Sequence, residues 1–141
     1  MNLPSTTIVN MARVHEACAR ILGRRPTALT PDTIAVLVEH VDWKSLPEWE
    51  SKSDADIAIG SGLHSVAFSG PLLVVTEASF GSGRGAFMVE ARELGLLVEQ
   101  HLVRHGECFF NGDVIIVECK GSQIWLFHHE GQYATLSGSS V

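Results

Sequence analysis

The stretch Val114-Ile115-Ile116-Val117-Glu118-Cys119-Lys120-Gly121-Ser122-Gln123-Ile124-Trp125-Leu126-Phe127-His128-His129-Glu130-Gly131-Gln132-Tyr133-Ala134-Thr135-Leu136 decides the fold. Residues 114–119, 123–128 and 133–136 are rich in β-branched and aromatic side chains, and Lys120-Gly121 and Glu130-Gly131 separate them. Strands joined by such short turns pair antiparallel in sequence order, because a parallel pair needs a crossover of a dozen residues or more. The spacing therefore predicts a C-terminal meander, with a further strand at residues 107–110 just ahead of it.

Further back, residues 66–68 and 72–76 read as short strands separated by Ser69-Gly70-Pro71, a turn signal that allows a hairpin. After Gly81-Ser82-Gly83-Arg84-Gly85, the stripe Phe87, Ala91, Leu94, Val98 and Leu102 predicts a long helix closed by Gly106. Near the start, Met11, Val14, Cys18, Ile21 and Leu22 predict an amphipathic helix that stops at Gly23. Thr30-Pro31-Asp32 opens a second helix expected to reach about His40; its valines and isoleucine would also suit a strand, and the cap favours helix. Residues 43–62 read as a loop region with a short element at 56–59. The expected fold is α+β: an antiparallel β-sheet with about three helices packed on one face. Residues 1–141 are expected to form a single domain, with 1–5 and 137–141 as loose tails.

Composition narrows the function classes. Hydrophobic residues at 45% and charged residues at 18% are enough for a core and exclude a disordered chain. No apolar run approaches the ~18 residues of a membrane helix. Arg13, Glu16 and Arg20 interrupt the first twenty positions, unlike a secretory signal, so a cytoplasmic location is expected. The net charge of −6 opposes nucleic acid, whose binding is driven by clustered Lys and Arg. The acids concentrate in Glu39, Asp42, Glu48, Glu50, Asp54 and Asp56, against Lys44 and Lys52. Such a run is either a solvated face or a docking face for a basic protein. Cys18, Cys108 and Cys119 are an odd count without a Cys-x-x-Cys spacing, so they read as small buried hydrophobes.

Each constellation that could carry chemistry has a plainer reading. The loop 81–85 has glycines and Arg84 ahead of a helix, which suits a phosphate, but its Gly-x-Gly-x-Gly spacing is not a nucleotide fingerprint. His101 and His105 share a helix face at i, i+4, half of a metal site, with His105 expected mid-stripe and His101 at its edge. If 123–128 is a strand, alternation sends His128 to the face of Ile124 and Leu126 and His129 to the other, so the two rings should diverge; they could chelate together only if the strand ended before His128, which the Glu130-Gly131 turn leaves open. No Gly-x-Ser-x-Gly elbow is present. No catalytic residue, metal or cofactor is therefore expected. Trp43 and Trp49, interleaved with carboxylates, remain as candidate anchors for a partner.

Residues 111–117, Asn111-Gly112-Asp113-Val114-Ile115-Ile116-Val117, followed by 124–131, Ile124-Trp125-Leu126-Phe127-His128-His129-Glu130-Gly131, resemble small bacterial immunity proteins that accompany polymorphic or contact-dependent toxins. That resemblance implies an acidic cytosolic inhibitor that covers the active site of a basic toxin domain, often a nuclease, without catalysis of its own. The leading expectation is a non-enzymatic protein-binding module. Its contact residues are Asp42, Trp43, Glu48, Trp49, Glu50, Asp54, Asp56, Arg84, His129 and Glu130, with Glu77 nearby in the same reading. The alternative is a small enzyme or phosphate-ligand domain using 81–85, with His105 or His128 as acid/base. A third reading is a homo-oligomer subunit that pairs through a strand edge or the Trp surface.

Overall fold

The computed structural model describes residues 6–38, 40–80 and 84–138. Its centre is a seven-stranded antiparallel sheet of β1 (Thr7–Val9), β2 (Lys44–Ser45), β3 (Pro71–Val75), β4 (Ala86–Glu90), β5 (Val114–Glu118), β6 (Gln123–His128) and β7 (Gln132–Ser137). The strand order is β1-β4-β3-β5-β6-β7-β2. The helices are α1 (Met11–Leu22), α2 (Pro31–Ala35), α3 (Asp54–Gly60) and α4 (Leu94–His105). The α+β class and the C-terminal meander are as expected. Ser137 ends β7, and Gly138, just past it, donates its N–H to the Ser122 carbonyl, so neither is a loose tail; 1–5 and 139–141 lie outside the described residues. Among the described residues, no helix is long and apolar enough to cross a membrane.

The sequence predicts helices on one face of the sheet; they cover both. Leu73, Val75, Ile115, Val117, Ile124 and Leu126 pack with α1 and α2. Leu72, Val74, Val114, Ile116, Trp125 and Phe127 pack with α3 and α4. The reason lies in the strands: β5 is buried at every position, and a strand apolar on both sides needs cover on both sides.

Other elements differ locally. Helix α2 ends at Ala35, not near His40; its β-branched continuation leaves Val36 exposed while Val38, Val41 and Trp43 pack against the α1/α2 side. Phe87 belongs to β4, which pairs with β3 and β1, and α4 begins only at Leu94. Residues 66–68 form no strand, although Val66 and Phe68 pack on the α3/α4 core. Residues 107–110 form a turn that buries Phe109 and Phe110. The element expected at 56–59 is the body of α3.

Two polar fixtures tie the layers together. Arg20 Nη2 on α1 donates to the carbonyls of Glu118 and Cys119, both at 3.0 Å. The buried Glu118 carboxylate accepts the N–H of Ser69 at 2.8 Å and of Gln123 at 2.9 Å, closing the β5–β6 turn against the loop before β3. A buried carboxylate is tolerated only when satisfied in this way.

Candidate functional site

The residues singled out by sequence gather largely at one end of the sheet, around the β6–β7 turn. Short β2 pairs with β7, and Leu46 donates its N–H to the Gly131 carbonyl at 2.8 Å. Residues 42–52 thereby cross the edge of the sheet. Trp43 packs on the α1/α2 side, edge-on to His128 with ring centroids 6.4 Å apart. Trp49 packs on the α3/α4 side, edge-on to Phe127 at 5.3 Å. Both indoles are half-buried, packed against the core and partly open to solvent.

Between and beside them the acids are exposed. The carboxylates of Asp42, Glu48, Glu50 and Asp56 make no ion pair or hydrogen bond among the described residues. Glu48 is the one non-glycine described residue in the left-handed region, with φ of 58°, and its carbonyl accepts both the N–H and the hydroxyl of Ser51. Asp54 is different. Its carboxylate accepts the N–H groups of Phe109 and Phe110, which fixes the turn after α4. Asp56 sits in the first turn of α3 above the Ser53 cap, where the helix dipole favours negative charge. Glu39 lies outside the described residues.

Trp49, Glu50, Lys52, Asp54, Ile57, Cys108, Phe110 and Asn111 line a recess of about 270 Å3. It unites three of the expected contact residues and adds a contribution from the turn after α4 that sequence reasoning did not supply. Burial pushes the exposed-side Cys108 thiol up, with the Asp54 charge adding to it, so the recess carries no activated thiolate.

On the opposite side of the turn, His128 is buried and His129 exposed. Their rings nevertheless stack with centroids 4.1 Å apart, which corrects the expected divergence. Strand β6 ends at His128, so His129 is the first turn residue and escapes strand alternation. His128 Nε2 lies 3.2 Å from Asp32 Oδ2, and its Nδ1 accepts the Glu130 N–H at 3.1 Å. His129 Nδ1 meets Asp113 Oδ1 at 2.9 Å, and its backbone N–H donates to the same oxygen at 2.8 Å. That hydrogen bond, with the charges of Asp113, Glu130 and Asp32, holds the His129 pKa above the ordinary imidazole value. Asp32 and Asp113 are the residues the sequence reading missed; the β5–β6 register, with Val114 opposite Phe127, is the signal that carries Asp113 towards His128.

The remaining candidates lie apart. Arg84 donates to His105 Nδ1 at 3.2 Å at the end of α4, next to Phe87, and Gly81, Ser82 and Gly83 fall outside the described residues. His105 is half-buried rather than mid-stripe, and burial, then the charges of His101, Arg84 and Arg104, lowers its pKa. His101 is the fully buried one; its Nδ1 and Nε2 are taken by the Glu107 carbonyl and the Thr76 hydroxyl, so this i, i+4 pair has no nitrogen of His101 to spare. Glu77 is exposed and packs its carboxylate over Gly112. A cavity of about 600 Å3 between α3 and α4, apolar around Ala58, Leu63 and Val98 and rimmed by His64, Arg92 and Glu99, contains none of the expected contact residues. Compared with known proteins, the chain matches no family model, no curated protein and no solved structure.

Proposed function

We propose that this chain is a non-enzymatic protein-binding module whose acidic face, from Asp42 to Asp56, docks a basic partner. The observation that carries the reading is the recess at Trp49. The Trp49 indole and the acidic residues Glu50 and Asp54 line it beside one cation, Lys52, and Glu50 has no partner among the described residues. A Lys or Arg side chain entering it would meet both a carboxylate and an aromatic ring. Asp42, Glu48 and Asp56 around it would speed encounter and reject acidic partners. Glu48 adds support, because a non-glycine residue in the left-handed region is a strain of about 1–2 kcal/mol that a glycine would relieve. In the specific form implied by the immunity-protein resemblance, the partner is a toxin domain and binding blocks its active site.

The test is capture of partners by the tagged full chain from its own cells, at low and high salt, beside a Glu50→Lys variant. Support is one basic protein retained at 1:1 by the native chain, weakened by salt and lost with Glu50→Lys. Equal retention by the variant, or recovery of the chain alone, sinks the reading, and the latter would favour self-association.

A further inference from the structure

We propose that Asp113, His128 and His129 form a binding site for one divalent transition-metal ion of the zinc class. One ligating atom from each residue lies within 4.8 Å of those from the other two. Ligands on a tetrahedral zinc, with bonds of about 2.0–2.2 Å, stand about 3.4 Å apart, so closure needs shifts on the order of 1 Å. The residues can supply that. The His129 side chain is 58% exposed and already 2.9 Å from Asp113, so its ring can turn into the ligating position while its backbone N–H still holds the carboxylate. His128 is the fixed member, buried at the end of β6 and stacked on His129.

The surroundings suit an ion. His128 has a carboxylate on Nε2, from Asp32, and a backbone donor on Nδ1, from Glu130. Ligation through Nδ1 gives up the Glu130 N–H and leaves Nε2–H donating to the Asp32 carboxylate, which orients the ring as outer carboxylates do at metal sites. Asp32, Asp113 and Glu130 place negative charge around the position, and no Lys or Arg side chain pairs with any of them among the described residues. Two imidazoles and one carboxylate select zinc, nickel, cobalt or copper over magnesium and calcium, which prefer oxygen alone. Three protein ligands on a partly exposed turn leave a fourth position to water or to a side chain from outside. The inference stands whether or not the acidic face is a docking surface, because it uses the other side of the turn.

The experiment is calorimetric titration of the untagged full chain with ZnCl2, with MgCl2 as the hard-cation comparison. Expected is one Zn2+ per chain, affinity lowered about tenfold or more in His129→Ala and in Asp113→Asn, no change in His64→Ala, and no Mg2+ binding. His129 is exposed and Asn at 113 keeps an acceptor for its N–H, so both variants retain the fold, which circular dichroism checks. Ni2+ gives a second readout: it should quench the Trp43 fluorescence component next to His128, and His129→Ala should abolish that quenching. The proposal is overturned if the native chain shows no saturable 1:1 binding. It is equally overturned if His129→Ala binds as tightly, since the ion would then sit on Cys108 or another surface group.

Discussion

The carboxylate of Asp54 holds the backbone of Phe109: Oδ2 accepts the Phe109 N–H at 2.8 Å, and Oδ1 accepts that of Phe110 at 3.2 Å. An acid that composition assigns to a charged face thus links the start of α3 to the turn after α4. The turn buries two phenyl rings, stacked edge-on at 4.9 Å, under the sheet residue Phe127. Asp54→Ala would leave two part-buried donors without an acceptor. Two hydrogen bonds to a charged group, at about 1.5–3 kcal/mol each, would total about 3–6 kcal/mol; Asp54 is only part-buried and water can replace part of this, so urea unfolding should show a loss of about 2–4 kcal/mol. Asp54→Asn, which keeps one acceptor, should lose less; a loss below about 0.5 kcal/mol for the Ala variant would remove Asp54 from the fold's supports.

Much of the fold is legible in sequence where one signal stands alone. The meander is an instance, since its turns are too short for any other pairing of 114–136. Helix α1 is another, capped by the Asn10 side chain and ended by Gly23 at φ 75°. Strand β4 was hidden because Phe87 and Ala91 fall by chance on the 3.6-residue stripe of α4, and the strand's own alternation is only five residues long. The site was less legible. Trp43 and Trp49 reach opposite sides of the sheet only because β2 crosses its edge, and a two-residue strand leaves no periodic trace. Asp32 and Asp113 meet the histidines through tertiary placement, which no local spacing records.

Gly131 has φ of 86°, and a side chain there would collide with the Trp49 indole. Gly131→Ala therefore carries both the left-handed backbone cost and a displacement of Trp49, together about 1–3 kcal/mol. The melting temperature should fall and the Trp emission shift to the red as the indole leaves Phe127. An unchanged spectrum would mean that Trp49 does not rest on this glycine.

Glu48 separates docking from stability. Glu48→Gly relieves the left-handed strain but frees the unfolded chain, so stability should stay level or rise by up to about 1 kcal/mol. Affinity for a basic partner should nevertheless drop, and more so at low salt, where an exposed charge is least screened. A variant that binds as well as the native chain would take Glu48 out of the interface.

The three cysteines should react in order of exposure. Cys108 is exposed, Cys119 half-buried and Cys18 fully buried, its thiol pushed by burial up to about 12. Burial also raises the other two, with the Asp54 charge adding at Cys108, so none is activated. Thiol titration of the native protein should label Cys108 first and slowly, and Cys18 only after denaturant. Labelling of Cys18 at the rate of Cys108 would show that α1 lifts off the sheet in the native state.

His101 sets the sign of the acid response. Burial lowers its pKa, and the neutral ring donates Nδ1–H to the Glu107 carbonyl and accepts from Thr76, whose oxygen takes the Ala78 N–H in turn. Below about pH 6.5, the ordinary imidazole value, the unfolded chain binds a proton that folded His101 refuses. Its contribution to stability is therefore complete above that pH and is lost as pH falls towards the depressed folded value. His105, also lowered, acts in the same direction, whereas His129, raised by Asp113, adds stability as pH falls through its folded value towards 6.5. Carboxylates titrate in the same acid range, so the informative quantity is a difference. Unfolding free energies of the native chain and His101→Gln, measured from pH 7.5 to 5, should converge as pH falls, because only the native chain has the buried imidazole to lose. Parallel curves would mean that His101 is protonated in the folded protein with no penalty, and that the Thr76–His101–Glu107 chain is not the neutral relay its geometry describes.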